Sequence, residues 1–253
     1  MAYIVRGGVK VYFEDHGDGP AVLLSHGFSA SSTMWREQIA VLQDRYRVLT
    51  WDMRGHGQSD YPDDPAAYSE DESVADMAAI LDACGLQKAV IGGWSLGGCA
   101  ALAFHLRHPA RTAALMLFDT GPGFRKDAAR DAWNETAHAR AGRFERDGLA
   151  ALSGDPSVKI AGHRDATGLA HAARGMLAQV DARLIDSLPT IAVPALVLVG
   201  SEDVKFHPAT DYMAGKIPGA QKAVIDDAGH SANLDQPAAF NAAMRGFLDG
   251  LAL

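Results

Sequence analysis

The chain is 253 residues long, 48% hydrophobic and 21% charged, with a formal net charge of −8. That is ordinary globular composition, sized for one α/β domain with a small insertion and long enough to bury a core without a metal or disulfide staple. The acidic balance gives no support to nucleic-acid or anionic-membrane binding, no apolar run reaches the roughly 20 residues of a spanning helix, and MAYIVRGGVKVYFEDHG has no apolar stretch ahead of a cleavage site, so a cytoplasmic protein is expected.

In chain order, YIVRG and VKVYFED alternate apolar and polar residues and meet at Gly7-Gly8, which reads as a β-hairpin. AVLLS is a short apolar run without alternation, as in a strand buried on both faces. A helix follows from about Met34 to Leu42, then RVLTWD as a second buried strand. SVADMAAILDACG has helical periodicity and stops at Gly85. KAVIGG is a strand, LGGCAALAFHLRHP a helix ended by Pro109, and AALMLFD a strand. After residue 193 the alternation resumes with PALVLVG, ATDYMAGKI, QKAVIDD and PAAFNAAMRGFLDG as strand, helix, strand and helix. Strands separated by helices predict βαβ units, hence a mostly parallel central sheet with helices on both faces and the leading hairpin as an antiparallel edge. Cys84 and Cys99 fall in helix-like stretches and read as reduced core thiols.

Residues 122–189 break this rhythm. They hold no convincing strand and read as three or four short helices, with Leu169, Ala172, Ala173, Met176, Leu177 and Val180 at helical spacing. The division is therefore a core of residues 1–121 and 190–253 interrupted by a small helical cap over one end of the sheet.

Gly93-Trp94-Ser95-Leu96-Gly97 matches G-x-S-x-G between a predicted strand and a predicted helix, the context in which that motif lifts a serine above a sheet. A serine hydroxyl needs a base to take its proton, and the base needs a carboxylate to orient it. Of ten histidines, His230 stands on the loop after the last strand. His105 and His108 belong to the helix after Ser95, His138, His163 and His171 read as surface residues of the insertion, and His26 and His56 as shapers of glycine-flanked loops. The carboxylate is assigned to Asp203, after PALVLVG, with Asp119 a competitor and Glu202 a third choice. The backbone N–H groups of Leu96 and Phe28 are the expected oxyanion donors. The expected pocket wall is Phe28, Trp94, Phe124, Met176 and Leu177, mostly apolar as small-ligand pockets are. No metal-ligand cluster or dinucleotide loop is visible, so no cofactor and no metal are expected.

His26-Gly27-Phe28, Asp52-Met53-Arg54-Gly55-His56-Gly57-Gln58-Ser59, Gly93 to Gly98, Gly200-Ser201-Glu202-Asp203 and Gly229-His230 stand in the order of the α/β-hydrolase superfamily, which the chain resembles over nearly its whole length. Trp94-Ser95-Leu96-Gly97-Gly98 is similar to small esterases, enol-lactonases and perhydrolase-like members. The serine departs from the aspartate nucleophile of haloalkane dehalogenases and epoxide hydrolases, and the single glycine of His-Gly-Phe from the His-Gly-Gly-Gly type of many lipases. The resemblance implies a serine hydrolase of a small, largely apolar ester or lactone, acting through an acyl-enzyme on Ser95. The alternatives are C–C cleavage of a vinylogous diketone by the same triad and a non-enzymatic small-molecule receptor.

Overall fold

The structure, a computed structural model, describes residues 2–152 and 156–252. Gly7 and Gly8 take φ of 58° and 80°, the left-handed pair a two-residue hairpin turn needs. They fold β1 (Ala2–Arg6) back on β2 (Val9–His16). With β3 (Ala21–Ser25), β4 (Arg47–Trp51), β5 (Ala89–Trp94), β6 (Thr112–Phe118), β7 (Ala195–Gly200) and β8 (Gln221–Ile225) they form one sheet, ordered β1-β2-β4-β3-β5-β6-β7-β8. β2 is antiparallel to both β1 and β4, and the remaining pairings are parallel. β3, β5 and β7 are buried at every residue because helices cover both faces, which is why they read as continuous apolar runs.

The helices are α1 (Arg36–Leu42), α2 (Glu70–Ala83), α3 (Leu96–Arg107), α4 (Asp127–Asp147), α5 (Pro156–Lys159), α6 (Ala166–Ala172), α7 (Arg183–Ser187), α8 (His207–Lys216), α9 (Ala232–Asp235) and α10 (Pro237–Asp249). α2 starts earlier than its apolar pattern suggests. The Ser69 hydroxyl accepts from the Glu72 N–H at 3.1 Å, and three acidic residues follow in the first turn, where they complement the helix dipole.

From β3 the chain runs outward to β4, then returns to place β5 on the other side of β3. The loops leaving β3 and β5 therefore open side by side at the C-terminal edge of the sheet, where parallel α/β sheets hold their ligands. Alternation along the strands divides the core. Ile91, Leu115, Leu117 and Val197 face α2, α3 and the helices between β6 and β7. Val90, Trp94, Met116 and Leu198 face Trp35, Phe240 and Met244 on the other side.

The chain between β6 and β7 is helical, but not as several short helices of similar size. α4 spans 21 residues, and its buried side consists only of Ala137, Ala141 and Phe144. A stripe that thin hides a long helix inside a polar sequence. Leu169, Ala172, Ala173, Met176 and Leu177 are buried as expected. Val180 is exposed, because the backbone turns extended at Ala178 and the helical period ends before it. Residues 153–155 of the expected insertion lie outside the described residues. No helix among the described residues is long and apolar enough to cross a membrane.

Candidate active site

Ser95 sits between β5 and α3 with φ 54° and ψ −116°, a conformation side chains rarely adopt and one that projects the hydroxyl out of the turn. Three glycines make the turn possible by absence of a side chain. A Cβ on Gly93 would overlap the Gly97 carbonyl, one on Gly97 would overlap the Ser25 carbonyl, and one on Gly98 would press on Thr120. The Ser95 N–H donates to the Phe118 carbonyl at 2.9 Å, and the Thr120 hydroxyl donates to the Ser95 carbonyl at 2.6 Å.

The ends of β7 and β8 bring the other two groups. A Cβ on Gly200 would strike the Ala228 and Gly229 carbonyls, so these loops touch without a side chain between them. His230 Nδ1 and Asp203 Oδ2 are 2.7 Å apart, and His230 Nε2 and Ser95 Oγ 3.1 Å. A carboxylate can only accept, so Nδ1 carries the proton, and Nε2 is left to accept from the serine hydroxyl. The imidazole lies between two aromatic rings: Phe206 is stacked at 4.8 Å and 19°, and Trp94 lies at 4.9 Å with its indole N–H donated to the His230 carbonyl. Phe206 was not anticipated; its only signal was an aromatic three residues after the acid.

Asp119 does not reach this line. It accepts from the Gly200 N–H at 2.8 Å, and burial holds its carboxyl well above the usual range. Glu202 is exposed.

Phe28 and Leu96 follow the C-terminal ends of the adjacent strands β3 and β5. A Cβ on Gly27 would lie 3.1 Å from that of Ser95, so the turn after β3 runs directly against the serine. Neither N–H has an acceptor among the described residues.

Ser95 opens onto a cavity of about 420 Å³. Phe124, Met176 and Leu177 line it, with Trp133, Ile185, Phe206 and Tyr212 among the residues sequence reasoning did not reach. Two expected wall residues are elsewhere. Trp94 follows the strand alternation of β5 to the opposite side of the sheet and packs beneath His230. The Phe28 ring packs edge-on against His56 and Phe144, at 5.8 and 6.0 Å, and does not line the cavity. Glu70 and Arg183 form an ion pair of 3.1 Å in the lining, and burial raises the Glu70 carboxyl. Cys99 also lines the cavity, its thiol donating to the Gly121 carbonyl and pushed up to about 11 by burial, so it is no rival nucleophile. Cys84 and Cys99 are both free and half-buried.

His163, expected at the surface, is half-buried. Its ring is wedged between the turn after β3 and the loop after β4, bonded to Ser29 and Gly57. No group of His, Cys, Asp or Glu suited to a metal occurs among the described residues.

Residues 20–165 match the family model for the alpha/beta hydrolase fold, and the chain belongs to that family. It is 32% identical to 3-oxoadipate enol-lactonase 1 of Acinetobacter baylyi, over 92% of this chain and 90% of that one. Among solved structures, a thermophilic esterase from Thermogutta terrifontis superposes with a TM-score of 0.85 and 31% identity, each chain covered to 98%. The enol-lactonase from Burkholderia xenovorans LB400 gives 0.80 and 26%, over 98% of this chain and 100% of that one.

Proposed function

We propose that this protein hydrolyses a carboxylic ester or lactone of a small, largely apolar molecule through an acyl-enzyme on Ser95. The observation that carries the reading is the hydrogen-bonded line Ser95–His230–Asp203 at the floor of a mostly apolar cavity. The likeness to an enol-lactonase and an esterase supports it.

In the first step Ser95 Oγ attacks the carbonyl carbon while its proton passes to His230 Nε2. Asp203 orients the imidazole and stabilises the imidazolium. The Phe28 and Leu96 N–H groups receive the oxyanion, and the start of α3 adds its dipole. The tetrahedral intermediate collapses, His230 returns the proton to the departing alkoxide, and the acyl group remains on Ser95. Water repeats the sequence with His230 as base and frees the acid. The helices between β6 and β7 act as a cap that closes the cavity and sets the acyl size accepted, with Phe124, Met176 and Leu177 as contacts.

Turnover of p-nitrophenyl acetate and butyrate, with labelling of Ser95 by a fluorophosphonate, tests this. Inert esters, or a label on another residue, would overturn it. Faster cleavage of a dienone acid than of any ester or lactone would move the reaction to C–C hydrolysis.

A further inference from the structure

Three histidines stand beside the turn that follows β3, and each holds a different peptide unit of it. His26 Nδ1 and the Gly27 carbonyl are 2.7 Å apart, which fixes the unit containing the Phe28 N–H. The Ser29 N–H donates to His56 Nε2 at 3.1 Å, fixing the next unit. His163 Nε2 and the Ser29 carbonyl are 2.8 Å apart, fixing the one after. Peptide units are planar, so orienting one end of a unit orients the other.

The far nitrogens are engaged as well. His26 Nε2 accepts from the Met53 N–H at 2.9 Å, and His163 Nδ1 from the Gly57 N–H at 3.2 Å, while His56 Nδ1 lies 3.0 Å from the Arg54 carbonyl. An acceptor role on one nitrogen leaves the proton on the other, so all three rings are neutral and each tautomer is dictated. The rings also contact each other, with centroids 5.0 Å apart for His26–His56 and 5.5 Å for His56–His163. Burial lowers the affinity of each for a second proton. The turn needs holding, because Ser29 has φ 58° without being glycine.

His26 and His56 belong to the sheet's own loops. His163 comes from the loop between α5 and α6, within the segment that joins β6 to β7, and crosses 134 positions of sequence to reach Ser29. Its neighbour Arg164 lies over the Tyr61 ring at 4.9 Å, and the Tyr61 hydroxyl donates to the Gly57 carbonyl at 3.0 Å, so the same stretch of chain is anchored to the same loop. The Asp52 carboxylate braces that loop from behind by accepting from the Ser32 and Gln58 N–H groups.

We propose that His163 is a positioning residue: from the helical segment it closes a three-histidine clamp on the turn carrying the Phe28 N–H, and so sets how well that N–H meets the oxyanion. Attachment of the helices and assembly of the oxyanion hole are then one event. The inference rests on the serine-hydrolase reading above, which ester turnover by the unaltered protein tests separately.

The experiment compares His163→Phe, which keeps a ring against His56 but loses both hydrogen bonds, with His163→Gln, whose amide can still donate to the Ser29 carbonyl. Melting temperature, kcat, KM and affinity for an aryl trifluoromethyl ketone are measured for each. The ketone forms a tetrahedral adduct and so reads the oxyanion hole directly. His163→Phe is expected to lose about 10- to 100-fold in kcat with little change in KM, and to lose ketone affinity by the same factor. His163→Gln is expected to recover most of both. A folded His163→Phe with unaltered kcat and ketone affinity would overturn the proposal, as would a rise in KM alone or a His163→Gln no better than His163→Phe.

Discussion

Ser95, Asp203 and His230 stand on loops whose paths are dictated by close backbone contact: Gly27, Gly93, Gly97 and Gly200 sit where a side chain would collide with main chain, with the Trp94 ring or with Ser95 itself. Across the cavity, Met176 and Leu177, on the helical turn Ala173–Leu177 that continues α6, and Trp133 of α4 are held to the body by apolar packing and by polar ties, among them His163 to Ser29 and Arg183 to Glu70. The first half cannot move without a clash. The second also has close main-chain contacts, Gly168 against Gly55 and Gly175 against the Tyr68 carbonyl, but what it turns toward the cavity is side chain. Main-chain contact thus sets the geometry around Ser95, and side-chain packing shapes the wall across from it.

The sharpest way to break the rigid half is at its centre. Ser95→Ala and His230→Ala are each expected to lower kcat on p-nitrophenyl butyrate by about 10⁴- to 10⁶-fold, with the double variant little worse than either, because the two act as a unit. Melting temperatures should stay close to that of the parent. Additive losses in the double variant would show that the two side chains work independently.

Next comes the choice of carboxylate. Asp203→Asn should cost on the order of 10⁴-fold in kcat by leaving His230 in the wrong tautomer. Asp119→Asn should keep most of the activity. Burial already favours the neutral acid at Asp119, and an amide resembles that form. Kinetics of the two variants side by side decide it, and the reverse order would place the acid at Asp119.

What could be read in advance follows the same division. Gly93 to Gly97 signals its shape because the steric conflict is local, and the hairpin at Gly7-Gly8 is legible for that reason. The placement of Asp203 and His230 at one edge follows from parallel strands alone. Trp94 was misplaced, although β5 alternation already puts it on the side of Val90 and away from the cavity. α4 was hidden because two alanines and one phenylalanine make its buried stripe. His163 had no signal: its role arises from contacts more than a hundred residues away.

The histidine clamp, which joins the two halves, gives a smaller, pH-dependent test. His26 is held neutral, its pKa pushed down by burial to about 4 from 6.5. Between those values the unfolded chain binds more protons, so this stabilisation is complete above about pH 6.5 and is lost as pH falls toward 4, by roughly 3 kcal/mol for His26. His56 and His163 shift in the same direction. The Asp52 and Asp119 carboxyls, raised by burial, act oppositely and flatten the bulk curve. Ring nitrogen NMR therefore reads the effect residue by residue. At pH 5.5 the expected forms are Nδ1–H for His26 and His56 and Nε2–H for His163. An imidazolium at His26 at that pH would contradict the clamp.

The mildest expected effect sharpens the comparison from the other side. Met176 and Leu177 are buried, line the cavity, and take no part in the hydrogen-bonded line of Ser95, His230 and Asp203. Shortening either to alanine enlarges the space beyond the scissile carbonyl and leaves the line from Ser95 to Asp203 intact. Relative kcat/KM should then shift toward longer acyl chains by about 10-fold across the acetate-to-octanoate series, as for loss of a few methylene contacts. Trp94→Phe is the matched control. Its indole N–H holds the His230 carbonyl and its ring lies on the other side of the sheet, so it should lower kcat evenly for every chain length. A chain-length shift in Trp94→Phe, or none in folded Met176→Ala and Leu177→Ala proteins, would mean that selection does not reside in the helical wall.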